Sequence, residues 1–151
     1  MSLELVVDAS VGIKLFVEEE LSDRAAELFE GLAWEPPLHI FVPDLFYLEC
    51  GNILWKYVRR FDYPTARASE ALSSLGALAL QRFSDSLLFQ EALDLALTHG
   101  ISVYDASYVT LAQHLGVPFV TADERLVRKL EGSELEVHWL GEPGLLADNG
   151  G

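Results

Sequence analysis

The chain has 151 residues, half of them hydrophobic, one cysteine and a formal net charge of -14. That length suffices for one hydrophobic core and is short for two, and the apolar content excludes a disordered chain. A single cysteine excludes an internal disulfide and a thiolate metal cluster. No apolar run approaches the roughly 20 residues that cross a bilayer. The opening residues carry Glu4 and no basic stretch, so they do not read as a secretory signal. A reducing cytoplasm is the expected compartment.

Leu3 to Val7 is a short apolar run with two valines and predicts a buried strand that runs into Asp8. A helix is expected from Val11 to Val17, ended by the acidic run Glu18 to Glu20. Ser22 suits the cap of a second helix, with Ala25, Ala26, Leu28, Phe29 and Leu32 inward until Pro36-Pro37 breaks it. A second strand, Ile40 to Val42, leads through Pro43-Asp44 into a long helix reaching Arg60. Asp62-Tyr63-Pro64 interrupts the chain, and a helix over Thr65 to Leu75 follows. Ala79 to Phe83 is the third strand. Ser84 is expected to start the next helix, with Leu87, Leu88, Ala92, Leu95 and Ala96 inward and Gly100 as its stop. Asp105 opens a helix that runs to Leu115 before Gly116. Val117 to Thr121 is a strand, Asp123 opens a helix to Leu130, and Leu135 to Leu140 is the last strand. Residues 1–141 are read as one domain, and the turn-rich 142–151 as a mobile tail.

Strands alternating with helices predict an α/β domain with a mostly parallel central sheet. Ligands of such sheets bind at the carboxyl ends of the strands. Acids stand there: Asp8 after the first strand, Glu49 early in the helix after the second, Asp105 after the segment Ile101 to Tyr104, and Asp123 after Val117 to Thr121. Four carboxylates on one rim repel one another, and a hard divalent cation relieves the repulsion. Each also has a plainer reading. Asp105 and Asp123 suit helix N-caps, and Asp8 suits a turn. Glu49 interrupts an otherwise apolar surface, where an acid needs a partner or a metal. The four histidines, His39, His99, His114 and His138, have no ligand spacing.

The charge balance opposes simple attraction to phosphate. Either nucleic acid is not a ligand, or cations gathered by the acids meet the phosphates. Six of the ten basic residues fall in two groups: Lys56, Arg59 and Arg60, then Arg125, Arg128 and Lys129.

Four segments carry a more specific signal. Val6-Val7-Asp8-Ala9-Ser10-Val11, with Lys14 close behind, resembles the opening motif of PIN domains of the VapC toxin type. Pro43-Asp44-Leu45-Phe46-Tyr47-Leu48-Glu49-Cys50-Gly51-Asn52 resembles the second motif. Tyr104-Asp105-Ala106-Ser107-Tyr108 followed by Ala112 resembles the third, and Val120-Thr121-Ala122-Asp123-Glu124-Arg125-Leu126 the fourth. They occur in family order across about residues 3–140. The resemblance implies a three-layer α/β/α fold and an endoribonuclease that uses Mg²⁺ or Mn²⁺. It implies Asp8, Glu49, Asp105 and Asp123 as the catalytic, metal-binding cluster, with Ser10, Asn52 and Thr121 in support. Lys14, Lys56, Arg59, Arg60 and Arg125 are then candidates for the RNA backbone, each of which can instead be a surface charge. A small VapB-like antitoxin is the implied partner. Trp55, Tyr57 and Phe61 suit a homodimer or antitoxin interface, or simple core packing. The rival expectations are a PIN-like interaction module without catalysis and a nuclease of this fold that is not a toxin. A receiver domain wants paired acids at the first strand, and an aspartate phosphatase wants a second aspartate where Ser10 stands.

Overall fold

The computed structural model describes residues 3–146. Five strands form one sheet: β1 (Glu4–Val7), β2 (His39–Pro43), β3 (Gln81–Phe83), β4 (Phe119–Thr121) and β5 (Val137–Trp139), in the order β3-β2-β1-β4-β5. Every neighbouring pair is parallel, so the sheet is wholly rather than mostly parallel. Seven helices connect the strands: α1 (Ala9–Gly12), α2 (Ser22–Glu30), α3 (Leu45–Phe61), α4 (Thr65–Ala77), α5 (Phe89–His99), α6 (Val103–Leu115) and α7 (Glu124–Leu130). Sheet and helices make a three-layer α/β/α arrangement.

β1 is the middle strand because Leu5, Val6 and Val7 are apolar on both faces and all three are buried. The chain adds β2 and β3 on one side of it, then crosses to add β4 and β5 on the other. The order reverses between β1 and β4, which places a crevice at their carboxyl ends. Tyr108, Phe46, Phe119 and Leu28 are among the largest fully buried side chains of the core. Gly100 and Gly116 end α5 and α6 in the left-handed conformation (φ 68° and 66°), the stop expected of both.

Several element boundaries differ from the sequence reading. The helix expected over Val11 to Val17 is instead α1 and a 3₁₀ turn, Ile13–Leu15, which delivers Ile13 and Val17 to a small second cluster with Leu54 and Ala71. Ser22 is the first residue of α2 rather than its cap. Its hydroxyl accepts the Glu19 N–H (2.9 Å) and braces the acidic turn. Ala26 is exposed, because the inward stripe runs through Ala25, Leu28 and Phe29. Ser84 caps a short 3₁₀ turn, Asp85–Leu87, and α5 begins only at Phe89, so Leu87 faces solvent. Ser102, not Asp105, caps α6: its hydroxyl accepts the Asp105 N–H (3.0 Å), leaving Asp105 inside the first turn. Of the expected tail, residues 142–146 are described, with 143–146 in turn structure, and 147–151 lie outside the described residues. Among the described residues no helix is long and apolar enough to cross a membrane.

Candidate active site

Asp8 directly follows β1 and is 5 % exposed. Its backbone carbonyl accepts the N–H groups of Val11 and Gly12 and so starts α1. Its side chain makes no cap bond. Instead Ser10 Oγ donates to Oδ1 (2.5 Å) and Thr121 Oγ1 donates to Oδ2 (2.6 Å). The same hydroxyls accept in turn: Ser10 Oγ from the Ala122 N–H (3.0 Å), Thr121 Oγ1 from the Asp123 N–H (3.1 Å). Ser10 and Thr121 are 3.3 Å apart, but each has committed its one proton to Asp8. The ends of β1 and β4 are thereby joined by a polar knot around a single carboxylate. No cation among the described residues pairs with Asp8. Burial pushes its pKa up to about 6 against the pull of the two hydroxyls, and the negative charges of Asp105 and Glu49 add to the rise.

Glu49 lies in the second turn of α3 and is half-buried. Tyr108, buried in α6 and stacked on Phe119 (5.9 Å, 8°), donates its hydroxyl to Glu49 Oε1 at 2.5 Å. Burial raises the Glu49 pKa, the tyrosine lowers it, and Asp105 and Asp85 raise it further. Asp105 is also half-buried. Burial and the neighbouring Asp123 raise its pKa, while the Ser102 hydroxyl and Lys129 oppose the rise. Asp123 is exposed and is the N-cap of α7, its Oδ1 accepting the N–H groups of Arg125 (3.0 Å) and Leu126 (3.2 Å). Its cap reading therefore holds, whereas that of Asp105 does not.

The four acids form an electrostatic chain, Glu49 and Asp8 coupled to Asp105, and Asp105 to Asp123. Among the described residues no three acids, histidines or cysteines stand close enough to ligate one ion directly. The donor set still fits a hard divalent cation of the Mg²⁺ kind, which keeps several waters and takes only one or two carboxylates. Asp8, a buried carboxylate with no counter-charge, is the strongest mark of such a fit.

The predicted basic residues divide. Lys14 is 11 % exposed and paired with Glu19 at 3.3 Å, so it is not free to meet a phosphate. Glu19 also accepts the Tyr57 hydroxyl. Lys56 is exposed and, with Asn52, lines a groove of about 500 Å³ beside Glu49 whose other walls are Leu45, Leu48, Ile53 and Tyr104. Arg59 rests over the Trp55 ring (5.7 Å), and Arg60 and Arg125 are exposed. Trp55 and Phe61 are largely exposed and are not core, while Tyr57 is half-buried against the cluster of Ile13, Val17, Leu54 and Ala71 and donates its hydroxyl to Glu19.

Four contributors were not singled out from sequence. Tyr108 holds Glu49, and its place one turn beyond Asp105 on the same helix was the available signal. Ser102 caps α6. Lys129 donates to the Gly100 carbonyl (3.2 Å) and acts on Asp105. Asp85 accepts the Leu45 N–H (3.1 Å) at the start of α3, a bond across 40 residues that no local pattern announces.

Comparison with known proteins agrees with this architecture. Ribonuclease VapC3 of Pyrobaculum aerophilum is 38 % identical over 129 residues, 84 % of this chain and 95 % of that protein. Ribonuclease VapC1 of Mycobacterium tuberculosis is 33 % identical over 82 % of this chain and 88 % of its own length. Exonuclease VapC9 of P. aerophilum is 32 % identical over 88 % of this chain and 90 % of its own length. The crystal structure of PAE2754 from P. aerophilum superposes with a TM-score of 0.68 at 28 % identity, covering 93 % of this chain and 92 % of that one. A toxin–antitoxin complex from Klebsiella pneumoniae shares the fold at 19 % identity, with a TM-score of 0.60 over 91 % of this chain and 98 % of that one. The PIN domain profile matches residues 5–131, and the chain belongs to the PIN domain family.

Proposed function

We propose that this protein is a Mg²⁺- or Mn²⁺-dependent endoribonuclease, the toxin of a toxin–antitoxin pair. The observation that carries the reading is Asp8: buried, uncompensated, held rigid by two hydroxyls and coupled to Glu49 and Asp105 at the switch point of the sheet. Relatives named as ribonucleases, at 38 % and 33 % identity, support the substrate class. Asp8, Glu49 and Asp105 would hold the ion, directly or through water, and Asp123 would complete the site or help to hold a second ion with the oxygen its cap bonds leave free. When bound, the ion would activate a water and neutralise the departing oxygen of the phosphodiester. Ser10 and Thr121 orient Asp8 so that both of its oxygens are fixed before substrate arrives. Tyr108 does the same for Glu49. A carboxylate of the cluster takes the proton of the attacking water. Lys56, Arg59, Arg60 and Arg125 are the exposed cations that can meet the RNA backbone.

The partner in this reading is a small VapB-like antitoxin, and the exposed Trp55 and Phe61 on α3 belong to a homodimer or antitoxin interface. Solved complexes that share the fold, such as the Klebsiella pair, support a toxin–antitoxin assignment.

The test is cleavage of linear and circular single-stranded RNAs in Mg²⁺, in Mn²⁺ and in EDTA, with wild type, Asp8→Asn and Asp105→Asn. Cutting of the circular RNA, abolished by EDTA and by both substitutions, is expected. Cleavage of linear RNA alone would make the enzyme an exonuclease, as one relative is named. Activity that survives both substitutions would remove the acidic site from the reaction.

A further expectation concerns Tyr108→Phe. The ring stays on Phe119, but Glu49 loses the donor that favours its charged form, so its pKa rises further. The acidic limb of the pH–rate profile should move to higher pH, with the alkaline side little changed. An unshifted limb would show that Glu49 ionisation does not limit the reaction.

A further inference from the structure

The groove beside Glu49 holds groups the acidic chemistry does not use. Tyr104 lines it while remaining 62 % exposed, and it is the residue immediately before Asp105. Leu48, 77 % exposed, is the neighbour of Glu49 on α3. Two large apolar side chains stand in water, each adjacent in sequence to a proposed metal-binding acid. Asn52 and Lys56 follow Leu48 at one and two helical turns and line the same groove.

We propose that this groove binds a nucleobase of single-stranded RNA next to the scissile phosphate, with Tyr104 as its stacking platform. The inference rests on the reading of the acidic cluster as an RNA-cleaving site and names what holds the substrate there. Glu49 belongs to both cluster and groove, so a base seated on Tyr104 leaves its backbone at the carboxylates. Charge points the same way. A chain of net charge -14 has little to offer a polyphosphate. Beyond the few exposed cations, affinity must then come from contacts that do not depend on charge, and stacking on an exposed ring is the strongest of these for an unpaired base. Leu45 and Ile53 supply an apolar floor. The Asn52 amide offers both a donor and an acceptor to a base edge, and Lys56 supplies a cation for the flanking phosphate. A base inside a duplex cannot enter, so the groove selects single strands.

The test is fluorescence anisotropy of a short labelled single-stranded RNA and of the same sequence as a duplex, with Ca²⁺ in place of Mg²⁺ so that binding is read apart from cleavage. Tyr104→Ala is expected to weaken single-strand binding about 5- to 150-fold, by an equal factor at low and high salt. Tyr104→Phe keeps the ring and should restore binding, while Asn52→Ala should change the preference among homopolymers. Thermal melts check that the exposed substitutions leave the fold intact. Equal binding by wild type and Tyr104→Ala overturns the proposal. So does a wild type that binds no single-stranded RNA, or a Tyr104→Ala effect confined to capture of a small protein partner, which would give the groove to that partner. Cleavage in Mg²⁺ without any dependence on Tyr104 removes the platform and leaves the nuclease. Tyr104-dependent binding without cleavage in any metal removes the nuclease and leaves the platform.

Discussion

Asp8→Asn should abolish cleavage and at the same time make the metal-free protein more resistant to unfolding at neutral pH. The carboxyl titrates at about 6 in the fold against 3.8 in an unfolded chain. Between those values the folded state holds the proton and the unfolded state has released it. Stability contributed by protonated Asp8 is therefore present at low pH and falls as pH rises through this window. That gap is worth about 3 kcal/mol. Asparagine has no charge to desolvate, so the difference in unfolding free energy between Asp8→Asn and wild type should grow by about 2 kcal/mol from pH 4, where the unfolded carboxyl is already more than half ionised, to pH 7. Rearranging the Ser10 and Thr121 hydroxyls around an amide adds an offset but no pH dependence. Urea melts in EDTA at the two pH values measure the change. A difference that stays constant would show that Asp8 is not a desolvated charge. Adding Mg²⁺ or Mn²⁺ should recover the lost stability in wild type and do little for Asp8→Asn.

Gly12→Ala carries the second large effect. A β-carbon at Gly12 would sit 2.6 Å from Phe46 Cζ and 2.8 Å from Cε2. The Phe46 ring is fully buried and held edge-on by Tyr47 at 5.1 Å, so it has no room to retreat. Overpacking of this kind costs about 1–3 kcal/mol. The activity should suffer more than the stability. Gly12 belongs to the turn hung from the Asp8 carbonyl, and Phe46 lies three residues before Glu49 on α3. Forcing α1 from α3 separates two of the acids, and a displacement of about 1 Å can cost on the order of 10²-fold in rate. Phe46→Leu in the same chain vacates ring volume, and the double variant should recover at least about 1 kcal/mol beyond additivity. Additive losses would mean that the helices absorb the methyl without moving.

The strand order and the acid positions differ in how far they can be read from residues alone. Apolar runs such as Leu5-Val6-Val7 mark buried parallel strands because both faces are covered, and the acids that end them follow directly. Starts of helices were harder. Ser102 and Asp105 are both good caps three residues apart, and only the fold shows that the serine takes the role. Leu87 fits a helical stripe by spacing, yet it lies in a 3₁₀ turn before α5 and faces water. Lys14 looked free beside the first motif, but the left-handed turn at Leu21 lies in the loop that brings Glu19 back onto it. The partnership of Tyr108 with Glu49 spans 59 residues and has no local signature. What is legible is what periodicity and strand ends dictate. What is missed depends on contacts between elements distant in sequence.

The knot around Asp8 also bears on when the protein can act during its own synthesis. The carboxylate is near the start of the chain, but one of the hydroxyls that orients it is 113 residues later, on β4, and the backbone amides that hold those hydroxyls belong to Ala122 and Asp123. A growing chain that has released β1, β2 and β3 has the core of half a sheet and an Asp8 with Ser10 as its one hydroxyl partner. The centre comes into being only when β4 docks against β1, after more than 120 of the 151 residues have been made. A messenger truncated before that point would yield fragments without the reactive arrangement. On the proposed reading of the acids as an RNA-cleaving site, the strand order withholds the complete arrangement until β4 has docked.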